Sequence, residues 1–319
     1  MLTLCPYLLK PIANLPTDEV DSEHIIPHAM GGSNQFALPV DKRTNSTFGR
    51  TVDSDLIHDP QLRFIAATQG VQSRTGEIKI QLPGIIVETG EDMTVAFGKS
   101  GMGEHRVKNH HLKDPTSGKL LGICGFDGQF EKDLGLLTEG SNKKRWETSN
   151  YRKIENPCIK VDIQSDPLKV SKGLAKIAYL MACRTLGDTF ALSPDAEAYR
   201  AAIQAKDWDD FDECGLHLLW GAELPLVMLP DIAIHQHLVA CFGAGSLIMV
   251  TVKLFGGVAI STFAFPAREC MIRHLDGVVV INDSRDRTIT EQRLQDAVPI
   301  RDMVQRMISF NQRQDPSST

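Results

Sequence analysis

The pattern of apolar and polar residues near the start of the chain predicts a β-hairpin. Residues Glu23–Pro27 predict a short strand that ends at its proline, because proline cannot donate to a strand ladder. Two adjacent glycines open a turn at 31–34. Residues Phe36–Val40 then predict a return strand, which Pro39 confines to the edge of a sheet.

After this hairpin the spacing of apolar residues becomes helical. Residues that share one helical face are Phe48, Val52, Leu56 and Ile57. Asp41 or Thr44 is placed to act as the N-cap. The predicted helix begins at about Asn45 and runs to His58, where the pair Asp59-Pro60 stops it. A further helical piece follows at Gln61–Thr68.

The rest of the chain divides into a β-like, loop-rich middle and a mixed C-terminal part. A long helix begins near Asp166, with Pro167 at its first position, and ends at Gly187. Predicted strands of the C-terminal part are 234–242, 247–255, 258–265 and 278–281, and its last predicted helices are 290–294 and 299–310. The pattern therefore predicts an α+β fold with three segments, 1–70, 71–163 and 164–319.

Three short motifs in the first segment resemble those of the HNH endonuclease family, whose nuclease core is a ββα-metal finger. Glu23-His24-Ile25-Ile26-Pro27 is similar to the family's acid-His-hydrophobic-hydrophobic-Pro, Gly31-Gly32 to its turn, and Asn45-Ser46-Thr47-Phe48-Gly49 to the Asn-x-x-x-Gly that opens its helix. The similarity covers roughly residues 20 to 58. It implies an N-terminal ββα-metal (HNH) finger, followed by the loop-rich β middle and a C-terminal α+β domain.

The resemblance assigns a role to each polar residue of the motifs. His24 would be the general base that activates a water, and Asn34 would brace the hairpin and orient that base. Glu23, Asn45 and Asp53 would hold one divalent ion, Mg²⁺ or Mn²⁺. The sequence departs from many relatives in one respect, because Asp41 and Thr44 stand where those relatives have the second Cys-x-x-Cys pair of a structural zinc site. We therefore expect no structural zinc.

These residue types suit phosphodiester hydrolysis on chemical grounds as well. A histidine can accept a proton near neutral pH, and a hard cation held by oxygen ligands can offset charge on the phosphate. Glu and Asn oxygens favour Mg²⁺ or Mn²⁺ over a softer metal. A purely structural interpretation stays open, in which Glu23-His24 begins a solvated strand and Asn45 caps a helix.

Composition and charge narrow the class of protein further. The 319 residues are 42% hydrophobic and 23% charged, which is ordinary for a globular protein and enough for two or three domains. Scattered cysteines, the lack of a long apolar run and the absence of a signal-peptide pattern predict a cytoplasmic protein without a membrane partner. The net charge of −6 argues against a dedicated nucleic-acid coat, but a local basic face is enough for a nuclease.

One stretch of the middle segment offers such a basic face. The predicted nucleic-acid-binding residues are Lys143, Lys144, Arg145, Arg152 and Lys153. Trp146 and Tyr151 lie among them and can stack on bases. A solvated loop is the alternative. Two sets of histidines, 105, 110 and 111 and the alternating pair His235 and His237, are weaker candidates for a metal site.

Together these features predict a metal-dependent DNA endonuclease, of the kind found in bacterial or phage restriction and defence. Three alternatives stay open. In the first alternative, the finger has lost its catalytic activity and serves as a module that binds nucleic acid or a partner. The substrate can be RNA. The chain can also be a nuclease subunit that is silent until a regulatory partner or a second copy joins it.

Overall fold

The computed structural model describes most of the chain. The described residues are 1–73, 76–88, 90, 92–99, 110–113, 116–117, 120–124, 158–218, 229–267 and 276–298. Helices and several antiparallel sheets make the fold α+β, which confirms the predicted class. The predicted helix 299–310 lies outside the described residues.

The described helices and strands follow one another in this order. The helices are α1 (Lys42–Arg50), α2 (Val52–Ile57), α3 (Pro60–Thr68), α4 (Pro167–Leu186), α5 (Asp188–Ala191), α6 (Pro194–Gln204), α7 (Trp208–Glu213) and α8 (Leu294–Ala297). The strands are β1 (Val20–His24), β2 (Ala37–Asp41), β3 (Gln72–Ser73), β4 (Gly76–Glu77), β5 (Ile80–Ile86), β6 (Asp92–Phe97), β7 (His110–Lys113), β8 (Leu120–Cys124), β9 (Ile159–Val161), β10 (His217–Leu218), β11 (Gln236–Ala244), β12 (Leu247–Leu254), β13 (Ala259–Pro266), β14 (Gly277–Asp283) and β15 (Thr288–Arg293).

Contacts divide the chain into two compact units. One unit joins residues 1–78 to residues 165–319, and the other is the intervening stretch 79–164. The sequence pattern instead separates an N-terminal segment, 1–70, from a C-terminal one, 164–319. In the structure both contribute to a single hydrophobic core that includes Phe36, Leu56, Tyr179 and Val250.

A hairpin followed at once by a helix begins the first unit. Strands β1 and β2 pair antiparallel, with Glu23 opposite Leu38, and α1 starts directly after β2. The Asp41 side chain accepts a hydrogen bond from the Thr44 backbone N–H, so Asp41 is the N-cap. Helix α1 packs against both strands. We call residues 20–50 the hairpin–helix unit.

The helix predicted from Asn45 to His58 is wrong in its extent. Helix α1 starts three residues earlier, at Lys42, because Asp41 caps it, and the chain breaks at Thr51, whose backbone is not helical. Helix α2 then carries the buried residues Val52 and Leu56. Helix α3 confirms the next predicted piece, with the Asp59 side chain capping its first turn.

Helix α4 is the central element of this unit. Asp166 caps it, Pro167 is its first residue and it ends at Gly187, as predicted. Residues 173–183 are buried without interruption, so this stretch of the helix is enclosed rather than amphipathic. It packs against α2 and α6 and against the middle strands of the C-terminal sheet.

That sheet has six antiparallel strands in the order β10-β13-β12-β11-β14-β15. Strands β11, β12 and β13 confirm the three predicted by the sequence, and β14 confirms the strand at 278–281. The helix predicted at 290–294 is wrong. Residues 288–293 pair with β14 as an edge strand. The β-branched residues Thr288, Ile289 and Thr290 favour this strand. The helix was predicted because so short an apolar pattern fits a helix as well as a strand.

The second unit, 79–164, contains short antiparallel pairings. Strands β6, β5 and β9 form one sheet, and β7 pairs with β8. Strand β5 alternates buried and exposed residues along its whole length. Ile86, Met93 and Val95 form a small apolar cluster there. The β-like pattern of the middle segment is confirmed for these residues.

No helix in the described part of the chain is long and apolar enough to cross a membrane.

Candidate active site

Strand β1 directs Glu23 and His24 to opposite faces of the hairpin, because successive residues of a strand alternate. The side chain of Glu23 is 2% exposed, whereas His24 is half-buried and reaches the surface. The predicted pair is therefore divided into a buried acid and an accessible histidine.

His24 is held by a hydrogen bond to Asn34. The distance between His24 Nε2 and Asn34 Oδ1 is 2.9 Å. An amide oxygen can only accept, so Nε2 carries the proton and Nδ1 keeps its lone pair. Asn34 is exposed, in the segment that joins β1 to β2. The structure thus brings together two predicted catalytic residues and leaves the imidazole able to accept a proton at Nδ1.

The buried acid faces a lysine that the sequence analysis missed. Nζ of Lys176, on α4, lies 2.6 Å from Glu23 Oε1 and 2.7 Å from each carboxylate oxygen of Asp53. The Lys176 side chain is 2% exposed. Burial raises the pKa of the Glu23 carboxyl to about 7, and the Lys176 ammonium opposes this rise. One ammonium therefore bridges two carboxylates in the interior, where charges are tolerated only when paired.

A close contact between two helices brings these groups together. A Cβ on Gly173 would lie 2.8 Å from the side chain of Leu56, so only a glycine lets α2 approach α4 this closely. Asp53 lies three residues before Leu56, and Lys176 lies three residues after Gly173, which places each on the contacting face of its helix. The sequence carries one signal of this buried ion pair, which is a lysine within an apolar helix. Lysine is rarely buried without a partner.

Asn45, a predicted metal ligand, makes a hydrogen bond to β1 through its side-chain nitrogen. Its Nδ2 donates to Asp21 Oδ2 at 2.9 Å, which ties α1 to β1. Asp21 and Glu23 lie on the same face of β1, two residues apart.

The position of Lys176 decides whether the predicted ligands can hold a bridging metal ion. Glu23, Asn45 and Asp53 supply oxygens of the kind that Mg²⁺ or Mn²⁺ prefers, and Oε2 of Glu23 is buried without a hydrogen-bond partner. However, Nζ of Lys176 lies between Glu23 and Asp53, where an ion bridging these carboxylates would sit. Within the described ranges, no three His, Cys, Asp or Glu residues form a group that could hold a metal ion. As arranged here, the three residues do not fit a bridging divalent ion, and Lys176 supplies the positive charge.

The segment between β1 and β2 is fastened to the C-terminal sheet. Asn282, on β14, donates from Nδ2 to the Gly31 carbonyl and accepts from the Ser33 N–H, both at 2.9 Å. Gly31 has a φ of +86°, and a Cβ there would lie 2.3 Å from the Ser284 carbonyl oxygen. The glycine turn is thus a contact point with the sheet as well as a reversal of the chain.

The two histidines predicted to share a strand face have different environments. His237 is fully buried, donates from Nε2 to the Met30 carbonyl at 2.9 Å and accepts at Nδ1 from the Phe255 N–H at 3.2 Å. Both ring nitrogens are used, so the imidazole is neutral. Burial lowers the pKa of His237 to about 4, and the hydrogen bond to Met30 opposes this. His235 is half-buried beside Asp283, at 3.3 Å.

His237 makes stability depend on pH. The unfolded chain takes up a proton near pH 6.5 and the folded chain only near 4, so stability is fully present above pH 6.5 and falls as the pH drops toward 4. The lower pKa of His237 in the folded chain corresponds to about 3 kcal/mol in the free energy of unfolding. We expect urea unfolding of the wild type to lose about this much more than His237→Gln between pH 6.5 and 4. Equal slopes for wild type and His237→Gln would contradict the prediction.

A second histidine packs beside His24, and an arginine binds this second histidine. The ring centroids of His24 and His28 are 5.2 Å apart. Arg287 donates from Nη1 to His28 Nε2 at 2.7 Å and from Nη2 to the Gln72 carbonyl at 2.5 Å. Because arginine only donates, His28 Nε2 is an acceptor and does not carry a proton.

Several predicted residues are not described by the structure. The nucleic-acid-binding candidates Lys143, Lys144, Arg145, Arg152 and Lys153 lie outside the described residues, as does His105. The backbones of His110 and His111 belong to β7.

A cavity of about 820 Å³ in this unit is separate from the candidate base. Tyr7, Lys172 and Arg200 contribute to its lining together with residues of α1, α2 and α6, whereas His24 and Asn34 do not. The candidate base therefore lies outside the lining of this cavity, and its side chain is half-buried.

No protein-family model, curated protein or solved structure matches the chain. The pair His24–Asn34 combines a titratable side chain with an exposed hydrogen-bond partner.

Proposed function

We propose that this chain is an HNH-type endonuclease that hydrolyses phosphodiester bonds in DNA, with His24 as the general base. The observation that carries the proposal is the hydrogen bond between His24 and Asn34, which leaves Nδ1 as an acceptor on the surface of the hairpin. Both residues occupy the positions that the motif resemblance gives to the base and its orienting Asn.

The local topology supports the same proposal. Strands β1 and β2 and helix α1 follow in the order of a ββα-metal finger. Asn45 lies on the face of α1 that contacts β1, as the last motif residue of such a finger does. Asp41 caps α1 at one of the positions where many relatives have a cysteine.

In the proposed reaction His24 Nδ1 takes a proton from a water molecule as the water oxygen attacks phosphorus. The bond from phosphorus to the leaving sugar oxygen breaks, and that oxygen takes a proton from bulk water. Asn34 accepts from Nε2–H throughout and stabilises the imidazolium that forms. This step uses neither Glu23 nor Asp53, whose carboxylates are bound to Lys176. Charge that develops on the phosphate must be offset by a positive group on the exposed side of the hairpin.

A second candidate function is a module that binds nucleic acid without cleaving it. The observation that favours this function is the position of Lys176, because an ammonium there keeps a divalent ion from bridging Glu23 and Asp53.

Cleavage assays separate these candidates. The purified chain is incubated with supercoiled plasmid, single-stranded DNA or RNA, in Mg²⁺, Mn²⁺ or a chelator. We expect the plasmid to be nicked by wild type and left intact by His24→Ala. Binding without cleavage under every condition would favour the module, and cleavage of RNA alone would make the protein an RNase. A subunit that depends on a partner would cleave only after cell extract is added.

We further expect the predicted basic stretch to contribute to DNA binding. Neutralising Lys143, Lys144 and Arg145 together should weaken binding to duplex DNA at low salt. It should also flatten the salt dependence, because each lost phosphate contact removes about 0.9 from the log–log slope. Fluorescence anisotropy across a salt series measures both effects.

The control for this experiment removes three exposed positive charges elsewhere, at Lys10, Lys160 and Lys206. It changes the net charge equally, so a difference between the two triple variants reports a local contact. Equal slopes for both variants would show that the stretch is a solvated loop.

A further inference from the structure

The turn between β14 and β15 brings one positively charged side chain to the surface around His24. The turn is short, since β14 ends at Asp283 and β15 begins at Thr288. Asp283 stabilises it by accepting from the backbone N–H groups of Arg285 and Asp286. Arg287 is the last residue of the turn, and its side chain reaches back over the segment that joins β1 to β2.

Two hydrogen bonds fix the guanidinium of Arg287. One goes to His28 Nε2 at 2.7 Å and the other to the Gln72 carbonyl at 2.5 Å. A guanidinium has five N–H donors, and the others have no partner within the described residues. Asp283, the acid at the start of the turn, is engaged with His235 and with backbone N–H groups. The charge of Arg287 is therefore held in place, and the described residues use only part of its hydrogen-bonding capacity.

The backbone at Arg287 is also in an uncommon conformation. Its φ is +56°, in the left-handed region that favours glycine or asparagine. Arginine occupies a position where a glycine would be less strained, as Leu9 and Phe255 also do.

Arg287 is more accessible than Lys176, the cation that pairs with Glu23. Lys176 is 2% exposed and is neutralised by Glu23 and Asp53, so it has no open path to a substrate. Arg287, His28 and His24 are all half-buried and Asn34 is exposed. The ring of His28 contacts the ring of His24 on one side, and its Nε2 accepts from Arg287.

We propose that Arg287 binds the scissile phosphate of the nucleic acid and offsets the charge that develops there while His24 acts as the base, with His28 orienting the guanidinium. The inference rests on the proposed function and deepens it, because the C-terminal sheet supplies a substrate-binding residue to the N-terminal hairpin. A guanidinium suits this role, since its fork of donors matches two phosphate oxygens.

The first test is cleavage under single-turnover conditions at saturating DNA. Arg287→Ala should cleave plasmid at least 100-fold more slowly than wild type, which is the usual effect of removing one donor that stabilises a transition state. Arg287→Lys should keep part of the rate, because it preserves the charge without the fork. Arg285→Ala is the matched control: it removes an exposed arginine of the same turn that donates to Gln69, and it should stay within twofold of wild type. Equal rates for Arg287→Ala and Arg285→Ala would overturn the proposal, as would an Arg287→Ala rate that matches wild type per folded molecule.

The second test does not depend on cleavage. Inorganic phosphate is titrated into the full chain while the imidazole resonances of His24 and His28 are followed by NMR. Both should shift in wild type and in Arg285→Ala, and neither should shift in Arg287→Ala. If wild type cleaves nothing but shows this phosphate response, the proposed function fails and the phosphate site stands. If wild type shows no response, or the same response as Arg287→Ala, the phosphate site is overturned whatever the cleavage result.

Discussion

Replacing Lys176 with methionine is expected to destabilise the protein by about 3–5 kcal/mol, because removing one partner of a buried ion pair leaves charge without compensation. Here the variant would leave two carboxylates, Glu23 and Asp53, facing each other inside the protein. Such a loss is a large part of the 5–15 kcal/mol that stabilises a typical domain. Thermal unfolding should show a melting temperature lower by about 10 °C.

Lys169→Met is the matched control for this change. Lys169 lies two turns earlier on α4 and pairs with Asp55 at 3.5 Å, but both side chains are largely exposed. Exposed pairs are worth at most about 1 kcal/mol, so this variant should melt close to wild type. Adding Glu23→Gln and Asp53→Asn to Lys176→Met should recover part of the lost stability. A Lys176→Met protein that melts with wild type would show that its ammonium is not the bridge.

The Lys176→Met variant also tests whether a metal ion can replace the Lys176 ammonium. In wild type, Nζ of Lys176 lies between the two carboxylates. In Lys176→Met that position is open to a cation, and Mn²⁺ should raise the melting temperature of the variant more than that of wild type. An equal effect of Mn²⁺ on both proteins would mean that the ion binds elsewhere.

Replacing His24 with alanine is expected to slow cleavage by about 10² to 10⁴, the usual contribution of a general base. The melting temperature should change by only a few degrees, because His24 is half-buried and its hydrogen bond is to an exposed Asn34. Plasmid nicking and thermal unfolding, measured on the same preparation, test both expectations.

His58→Ala controls for the loss of any exposed histidine and for a contaminating nuclease, since His58 is exposed at the end of α2. It should cleave like wild type. Asn34→Ala should cleave at a rate between those of His24→Ala and His58→Ala, because it removes the group that fixes the tautomer of His24 but keeps the base. Near-normal cleavage by His24→Ala would exclude His24 as the base.

Local structure was largely predictable from the sequence. Capping residues and prolines marked the start of α4, and alternation or continuous apolar runs marked β5 and β11–β14. The errors were also local. The break at Thr51 has no proline or glycine to signal it, and the edge strand at 288–293 is too short for its period to separate strand from helix.

The surroundings of the candidate site were not predictable in this way, because they come from distant parts of the chain. Lys176 looked like one polar residue on an apolar helix, and only the contact at Gly173 reveals that it faces Asp53. Arg287 lies in a turn that carries no motif. The motif residues indicated candidate side chains, whereas the partners of these side chains depend on tertiary packing that no local pattern encodes.

The long sequence separations in the first unit also set the order of events during synthesis. Glu23 meets its partner Lys176 across 153 positions, and Gly31 meets Asn282 across 251. A ribosome adds about 5–20 residues per second, so the hairpin waits on the order of 10 to 50 s for the sheet that fastens it. During that interval the nascent N-terminus lacks Lys176 and Arg287. A chain released before residue 287 would therefore carry the motif residues without both of these neighbours.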